Sequence, residues 1–588
     1  MSSFDEYTLG FNDISRMFST KALYEAHSVE PKTRVEMRMI KASAFIRSTP
    51  DWADKLNDEE KCLEWKTQVK DTFNLTYSEV RYVFEELHYY ALLMEKSTDG
   101  EELGAIDNVW ITNAASDCEL ADEFRRNAAV LESDLTLAKT SEGAVAPLTG
   151  LRALVDPFLY PFETKESSIL TKPVESPEDS LNIELPRTKP ELMREWSQAI
   201  KNFNTCRPKN RAQFDYRKLS QLVERKQLAN PNELYKSWLP TCFNVNEDGS
   251  VTICSYINNL HPIRYAALYQ SISKVFAKFV PLLEQVATDM AHPRDLRVEF
   301  SRYSCIAPGM LGSRDLYRML DNGEEIPEEY QKYLKTSTWI FANTTKEQTY
   351  VDRGYFDEEY AEAEIYTEPV PDLFCPPDRP LKPYSMREMP LQTSVEMINI
   401  NLTPENPTHP EGEWQAVGRA EERIFAVGLY FYDVENIAAA RLKFRDPVWR
   451  KNFFNPEDHR DFCKAHDVKT DLGSSCIYSQ EVGEVEIKSG SYICYPNFYQ
   501  TKMPTFELAD PTQSGHVKYL AFYIVDPDQR LVSTEIIPPQ QPHWTGATTP
   551  LDQSDSVIST KECLENWHSS RNRRVEKKFD FTIIMDDY

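Results

Sequence analysis

The chain has 588 residues and a formal net charge of −27. It is too long for one ordinary domain, and it is too acidic to coat nucleic acid or an anionic membrane by bulk charge. Its 11 cysteines include no pair at CxxC spacing, which indicates reduced thiols and excludes a disulfide framework or a zinc site of that pattern. Neither a signal peptide nor a transmembrane run is visible, which predicts a cytoplasmic protein with no membrane partner.

Residues 1–135 are predicted to form a helical region, because apolar residues recur there at spacings of three and four. Thr76 and Ser78 are candidate caps for one of these helices. Residues 136–245 are predicted to be a connection rich in Pro, Ser and Thr that ends in a basic segment. This segment is either a solvated helix face or a phosphate-contacting surface, whose candidate residues are Arg207, Lys209 and Arg211.

Residues 246–320 are predicted to be helical, with one long helix inside the stretch 254–290. Pro262 is expected in its first turn. An apolar stripe predicts core packing and consists of Leu268, Ile272, Val275, Phe276, Phe279, Leu283 and Val286. Residues 321–385 are predicted to be an acidic, proline-rich linker, and their carboxylates are interpreted as solvated rather than as metal ligands.

Residues 386–545 contain short runs of β-branched and aromatic residues separated by Gly, Pro and Asn. Several such strands in succession predict a sandwich or a jelly-roll barrel. Residues 546–588 are predicted to be a basic extension, with Arg571, Arg573 and Arg574 as further candidates for phosphate contacts. The predicted fold class is therefore α+β, with a mostly helical N-terminal half.

Several stretches in the region 240–545, among them SYINNLHP, GLYFYDVENI and FELADPTQSGHVKYLAFYIVDP, resemble an uncharacterised fungal domain family. That family is linked to the iron(II)/2-oxoglutarate oxygenases, and the resemblance implies a double-stranded β-helix as the C-terminal core. Oxygenases of this kind bind iron through two histidines and a carboxylate.

The iron-ligand positions implied by this resemblance carry other residues here. Gln415 and Val417 follow GEW, Thr501 follows YPNFYQ, and Val517 stands where an anion-binding arginine is expected. An amide binds iron(II) poorly and a valine does not bind it, so the resemblance implies a degenerate metal site with no metal and no cofactor. Two alternatives stay open, namely an oxygenase with displaced ligands and a non-catalytic binding protein.

The chain also resembles fungal arginine-containing cyclodipeptide synthases, which serve secondary metabolism. This resemblance implies an aminoacyltransferase that makes cyclo-Arg-Xaa from Arg-tRNA and a second aminoacyl-tRNA, with the basic residues named above contacting tRNA. Asp433 and Glu435 are the candidate catalytic residues, as guanidinium partner or base, and the alternative is a capped, solvated strand end. Gln415, Tyr430 and Thr501 are the candidate substrate-pocket residues.

Overall fold

The computed structural model describes residues 31–96, 101–113, 118–134, 150–163, 173–181, 236–298, 465–466, 478–527, 531–541 and 544, and most of 371–448 except 372–373, 378, 380–382, 413, 416 and 419–421. The six residues predicted to contact tRNA, Arg207, Lys209, Arg211, Arg571, Arg573 and Arg574, lie outside these ranges. The acidic linker up to residue 370 also lies outside them.

The described residues contain six α-helices, five of them in the first 135 residues. They are α1 (Arg34–Arg47), α2 (Trp52–Lys55), α3 (Glu59–Phe73), α4 (Tyr77–Lys96), α5 (Cys118–Glu132) and α6 (Ala266–Ala291). A capping box begins α4, because the Glu79 carboxylate accepts the Thr76 N–H at 2.9 Å while the Thr76 hydroxyl accepts the Glu79 N–H at 3.4 Å. The helical N-terminal region expected from the sequence is therefore present in these ranges.

The strands of the described residues form antiparallel sheets. They are β1 (Glu102–Leu103), β2 (Trp110–Asn113), β3 (Leu151–Val155), β4 (Phe162–Glu163), β5 (Lys236–Ser237), β6 (Thr241–Val245), β7 (Val251–Ile253), β8 (Met389–Leu402), β9 (Thr408–His409), β10 (Ile424–Glu435), β11 (Ile437–Ala438), β12 (Arg441–Val448), β13 (Tyr478–Glu486), β14 (Ser491–Pro496), β15 (Gln500–Lys502), β16 (Phe506–Leu508) and β17 (Gly515–Val525).

One sheet of nine strands dominates the fold. Its order is β1-β2-β14-β10-β17-β8-β6-β7, and β3 pairs with β8 beside this path. Smaller sheets have the orders β11-β16-β9 and β13-β12-β15, and β4 pairs with β5. The mixed α and β character and the sheet-rich C-terminal half predicted from the sequence are confirmed.

The large sheet also recruits strands from the N-terminal half. Strands β1, β2, β3, β6 and β7 lie in regions that the sequence had assigned to helices or connections. β1 and β7 pair with their sequence neighbours β2 and β6, whereas β2, β3 and β6 pair with strands far away along the chain, such as β2 with β14. Such pairing leaves no local pattern in the sequence, because the partner of each short strand is set by the tertiary fold.

Two apolar cores lie on opposite faces of the large sheet. One core joins the helices to the sheet, and the whole predicted stripe of α6 is buried in it. Pro262 precedes α6, which begins at Ala266, so its predicted place in the first helical turn is wrong. The other core lies between the large sheet and the smaller sheets β11-β16-β9 and β13-β12-β15.

Strand β10 shows how side chains are divided between the two cores. Val427, Leu429 and Phe431 pack between the sheets, whereas Tyr430 and Tyr432 pack on the helix side. A β-bulge between Tyr430 and Asp433 then shifts the register against β17.

Within the described ranges, every helix is too short or too polar to cross a lipid bilayer.

Candidate functional site

Gln415 and Thr501 form an isolated antiparallel bridge between two strand segments. The Gln415 N–H donates to the Thr501 carbonyl at 3.0 Å, and the Thr501 N–H donates to the Gln415 carbonyl at 2.9 Å. Thr501 pairs with Phe444, which packs between the sheets, and its Oγ1 lies 3.4 Å from the Tyr495 hydroxyl. Both members of the bridge therefore face the space between the sheets.

The donor set at these positions does not fit an iron centre with two histidines and a carboxylate. Val417 packs against the core between the sheets, and Val517 is completely buried in that core. His409 and His516 lie elsewhere, the former stacked on Phe506 and the latter hydrogen-bonded to a carboxylate. Across the described residues, no three His, Cys, Asp or Glu side chains come together as a metal-binding group.

Tyr430 does not share a pocket with Gln415 and Thr501. Its ring packs on the helix side of the large sheet, with ring centroids 5.6 Å from Phe124 of α5 and 4.4 Å from Tyr492. The sequence-based grouping of these three residues is therefore wrong in geometry. The physical reason is the alternation of side chains from Val427 to Phe431 of β10, which places Tyr430 opposite in direction to its neighbours Leu429 and Phe431.

Asp433 also lies on the helix side, in a half-buried group of charges. Its Oδ2 is 2.7 Å from His516 Nε2 and 3.5 Å from Lys518 Nζ, and its Oδ1 is 3.7 Å from Arg125 Nε. Burial would raise the pKa of Asp433, but the hydrogen bond from His516 and the positive charges nearby outweigh it, so the pKa lies below its ordinary value. Glu435 is paired in register with His516 and is exposed.

An inward-facing carboxylate, which the sequence did not single out, lies on β8. Glu396 pairs directly with Ala521 of β17, and Ile398 and Ile400 on the same face of β8 pack between the sheets. The Tyr523 hydroxyl donates a hydrogen bond to the Glu396 carboxylate. The side chain of Glu396 therefore points into the space between the sheets.

Aromatic side chains surround this carboxylate. Tyr519 and Tyr523 flank Ala521 on the inward face of β17, and the Trp238 ring lies 5.3 Å from the Tyr523 ring. Burial, followed by the charge of Glu396, raises the pKa of Tyr523 well above its ordinary value. Tyr523 is therefore a protonated hydrogen-bond donor at neutral pH.

Glu396, Tyr519, Tyr523, Tyr495, Thr501 and Gln415 are called the inner cluster below. Four of its members, Glu396, Tyr519, Thr501 and Gln415, keep solvent-accessible surface although they face inward. Their inward neighbours Val427, Phe431 and Ala521 are completely buried. Solvent can therefore reach part of each of these four residues, whereas the apolar residues beside them are closed to it.

The sequence holds one signal for this site. In the strand TSVEMININ, Glu396 is the charged residue of a run that otherwise consists of apolar, small or amide side chains. The charge alone does not tell which face it occupies, because that depends on the register with β17.

A family profile described as "Protein of unknown function (DUF4246)" matches residues 78–548, which is more than half of the chain. The chain belongs to the DUF4246 family. No curated protein matches it.

Two solved structures show weak similarity to the DUF4246 chain. A selenomethionine-labelled Fe(II)/(alpha)ketoglutarate-dependent dioxygenase TqaL is 10% identical over 26% of this chain and 48% of its own, with a TM-score of 0.15. The IDO protein from Bacillus thuringiensis is 7% identical over 23% of this chain and 46% of its own, with a TM-score of 0.14. The chain thus spans about half the length of either structure. TM-scores this low do not establish a shared fold.

The identification as an arginine-containing cyclodipeptide synthase must be corrected. The match is to a domain family of unknown function, and none of the comparisons indicates a cyclodipeptide synthase. The error has a simple cause, because the resembling stretches are strands and turns of the core and include no residue whose chemistry is particular to one reaction.

Proposed function

We propose that the chain binds a small organic molecule in the space between its sheets, next to the inner cluster. We further propose that these sheets form a double-stranded β-helix that has lost its iron chemistry. The strand order β14-β10-β17-β8, facing β9-β16-β11 and β13-β12-β15 across a shared core, supports this fold. The residues Gln415, Val417 and Thr501 at the expected ligand positions support the loss of iron chemistry.

The observation that carries the proposal is the Glu396–Tyr523 pair. A carboxylate placed inside a sheet sandwich is costly unless it is hydrogen-bonded, and Tyr523 provides one such bond. Ligand sites are typically apolar and aromatic spaces with a few polar groups that fix orientation. The inner cluster has this composition, because its carboxylate, hydroxyl and amide groups adjoin an otherwise apolar core.

The same pair favours holding a ligand over transferring a proton. A phenol whose pKa is raised is a weaker acid at neutral pH than ordinary tyrosine, so Tyr523 is poorly matched to general acid catalysis. Asp433, which the sequence suggested as a catalytic residue, lies on the other face of the large sheet, where it contacts Arg125, Lys518 and His516. The aminoacyl-tRNA reaction and its tRNA partners stay untested predictions, since the residues assigned to tRNA contacts lie outside the described ranges.

The space itself is tested by filling it. We expect Ala521→Leu to cost little stability, because Ala521, although buried, pairs directly with the partly accessible Glu396, so that the longer side chain can extend into the proposed space. The matched control is Ala287→Leu, since Ala287 is equally buried but packs between α6 and the large sheet. Overpacking there should lower the free energy of unfolding by about 1–3 kcal/mol in a urea titration.

Binding is tested in the same proteins by a thermal-shift screen of amines, polyols, carboxylic acids and aromatic metabolites. We expect at least one compound class to raise the Tm of the wild-type chain and to have no effect on Ala521→Leu. A loss of stability in Ala521→Leu as large as in Ala287→Leu, together with no Tm increase by any compound, would refute the proposed function.

A further inference from the structure

We infer that the ligand of the inner cluster is an organic cation, such as a substituted ammonium or guanidinium group. This inference rests on the proposed function, because it specifies the charge of a molecule bound in the same space. Three observations support it. The first is the charge pattern of the inward positions, whose side chains point into the space between the sheets. The others are the aromatic rings around Glu396 and the buried indole N–H of Trp238 at the edge of those rings.

The charge pattern comes from the register of the large sheet. On β8 the inward positions are Ser394, Glu396, Ile398, Ile400 and Leu402, and on β17 they are Val517, Tyr519, Ala521, Tyr523 and Val525. On β10 and β14 the inward residues between the sheets are uncharged, namely apolar side chains, Tyr495 and Ser491. Glu396 is thus the charged residue among the described inward positions of these four strands, and its sign is negative.

This pattern selects against an anionic ligand. A carboxylate or phosphate group held near Glu396 would meet a like charge, which is unfavourable in a space of low dielectric constant. The basic residues Lys518 and Arg125 lie on the helix side of the sheet, where they pair with Glu132, Asp122 and Asp433. A cation, by contrast, meets an opposite charge and gains a charge-assisted hydrogen bond.

The rings supply the second element of cation recognition. Tyr523 lies between Glu396 and Trp238, with its ring 5.3 Å from the indole. Tyr519 lies two positions from Ala521 on the same face, and its ring is 5.6 Å from Phe431. Electron-rich faces of tyrosine and tryptophan attract ammonium and guanidinium groups, and several such rings beside one carboxylate form an aromatic cage.

Trp238 adds an independent feature. It is 3% exposed, and its Nε1 hydrogen has no acceptor among the described residues. Buried indole N–H groups normally find an acceptor. A ligand that carries an oxygen near its positive charge would provide one, so choline-like and acylated guanidine-like compounds fit better than a bare alkylamine.

The test uses pairs of probes that share a shape and differ in charge. Choline is compared with 3,3-dimethylbutan-1-ol, and butylguanidinium is compared with butylurea, by isothermal titration calorimetry on the full chain. We expect at least one cation to bind tenfold more tightly than its neutral partner. Glu396→Gln should abolish that preference, because the amide keeps the shape of the carboxylate and removes its charge.

Glu507→Gln is the matched control, because Glu507 is exposed on β16 between two inward-facing residues and points away from the core. It should keep the full preference for the cation. Tyr519→Leu gives a second reading that does not depend on Glu396, and it should weaken choline binding at least threefold by removing one ring.

The outcomes separate the two proposals. Equal affinity for cation and neutral partner, or an unchanged preference in Glu396→Gln, would overturn the cation assignment while leaving a ligand site. If neither member of either pair binds although Ala521→Leu is tolerated and other compounds raise the Tm, the cation assignment alone is wrong. If Ala521→Leu is not tolerated and no compound raises the Tm, the binding site fails as a whole.

Discussion

Gly428 lies where Phe279 of helix α6 packs tightly against the large sheet. A Cβ at this position would lie 2.8 and 2.9 Å from two ring carbons of Phe279, which is completely buried. The Phe279 ring cannot move aside freely, because it packs against Tyr492 at 5.2 Å and Phe522 at 5.4 Å between ring centroids. The absence of a side chain at Gly428 therefore sets the distance between the helix layer and the sheet.

We expect Gly428→Ala to lower the free energy of unfolding by about 1–3 kcal/mol, because the added methyl group overpacks a dense core. Urea denaturation followed by circular dichroism measures this. Phe279→Leu in the same chain should recover part of the loss, because the smaller side chain makes room for the methyl group. If the effects of Gly428→Ala and Phe279→Leu on the free energy of unfolding simply add in the double variant, a direct contact between these positions is contradicted.

At the scale of single residues, the helical spacing of apolar side chains allowed the buried stripe of α6 to be predicted from the sequence. Residues such as Ile272 and Phe276 recur at helical spacing, so their common face is a local property. Glu396 was not predictable in this way. The pairing with Ala521, which lies far away along the chain, sets the sheet face to which the Glu396 side chain points. No local sequence pattern indicates which face that is.

At the scale of elements, α5 is held to the large sheet by charges at the end of β10. Arg125 donates to the Tyr432 carbonyl at 2.9 Å, and Glu132 accepts from Lys518 at 3.1 Å. The Asp433 carboxylate forms ion pairs with both Lys518 and Arg125, and it thereby connects the two contacts. The β-bulge in β10 makes this possible, because it brings Asp433 to the same side as Tyr432.

We expect Asp433→Asn to reduce the free energy of unfolding by about 1–3 kcal/mol at pH 7, since a carboxylate bonded to charged donors is lost. The pKa of Asp433 is lowered in the folded chain, so its contribution is present above its unfolded pKa and is lost as the pH falls through the folded value. The difference between wild type and variant should therefore shrink below about pH 4.

Asp122→Asn provides the control for this prediction. Asp122 also pairs with Arg125, at 2.7 Å, but its side chain is 59% exposed. Exposed ion pairs contribute little, so the free energy of unfolding of this variant should stay within about 0.5 kcal/mol of wild type, both at pH 7 and below about pH 4. Equal effects of the two substitutions in urea titrations would argue against the role given to Asp433.

Across the whole molecule, one buried arginine connects the helical region to the sheets. Arg297 follows α6 and contacts Glu36 of α1 at 3.1 Å, Glu86 of α4 at 2.9 Å and Asp107 between β1 and β2 at 2.6 Å. Burial would raise the pKa of Asp107, but Arg297 and Lys32 lower it far below its ordinary value. Arg294 and Arg297 likewise lower the pKa of Glu86 against the effect of its burial, so Asp107 and Glu86 are ionised and depend on their cationic partners.

We expect Arg297→Met to lower the free energy of unfolding by about 3–5 kcal/mol, because it leaves buried carboxylates without their main partner. Arg81→Met is the control, since Arg81 forms an exposed pair with Glu85 on α4 at 2.8 Å and should cost less than about 0.5 kcal/mol. Chemical denaturation with fluorescence and far-UV circular dichroism measures both. A loss of stability in Arg297→Met no larger than in the control would contradict the role of the buried network.

The large sheet also has a consequence for synthesis of the chain on the ribosome. Trp110 of β2 pairs with Cys494 of β14, so the first partner emerges long before the second is translated. At a rate of about 5–20 residues per second, the delay is on the order of tens of seconds. During that interval β2 has an unpaired edge that can bind chaperones or neighbouring nascent chains, and the sheet is completed only after β17, its last strand in chain order, has been translated.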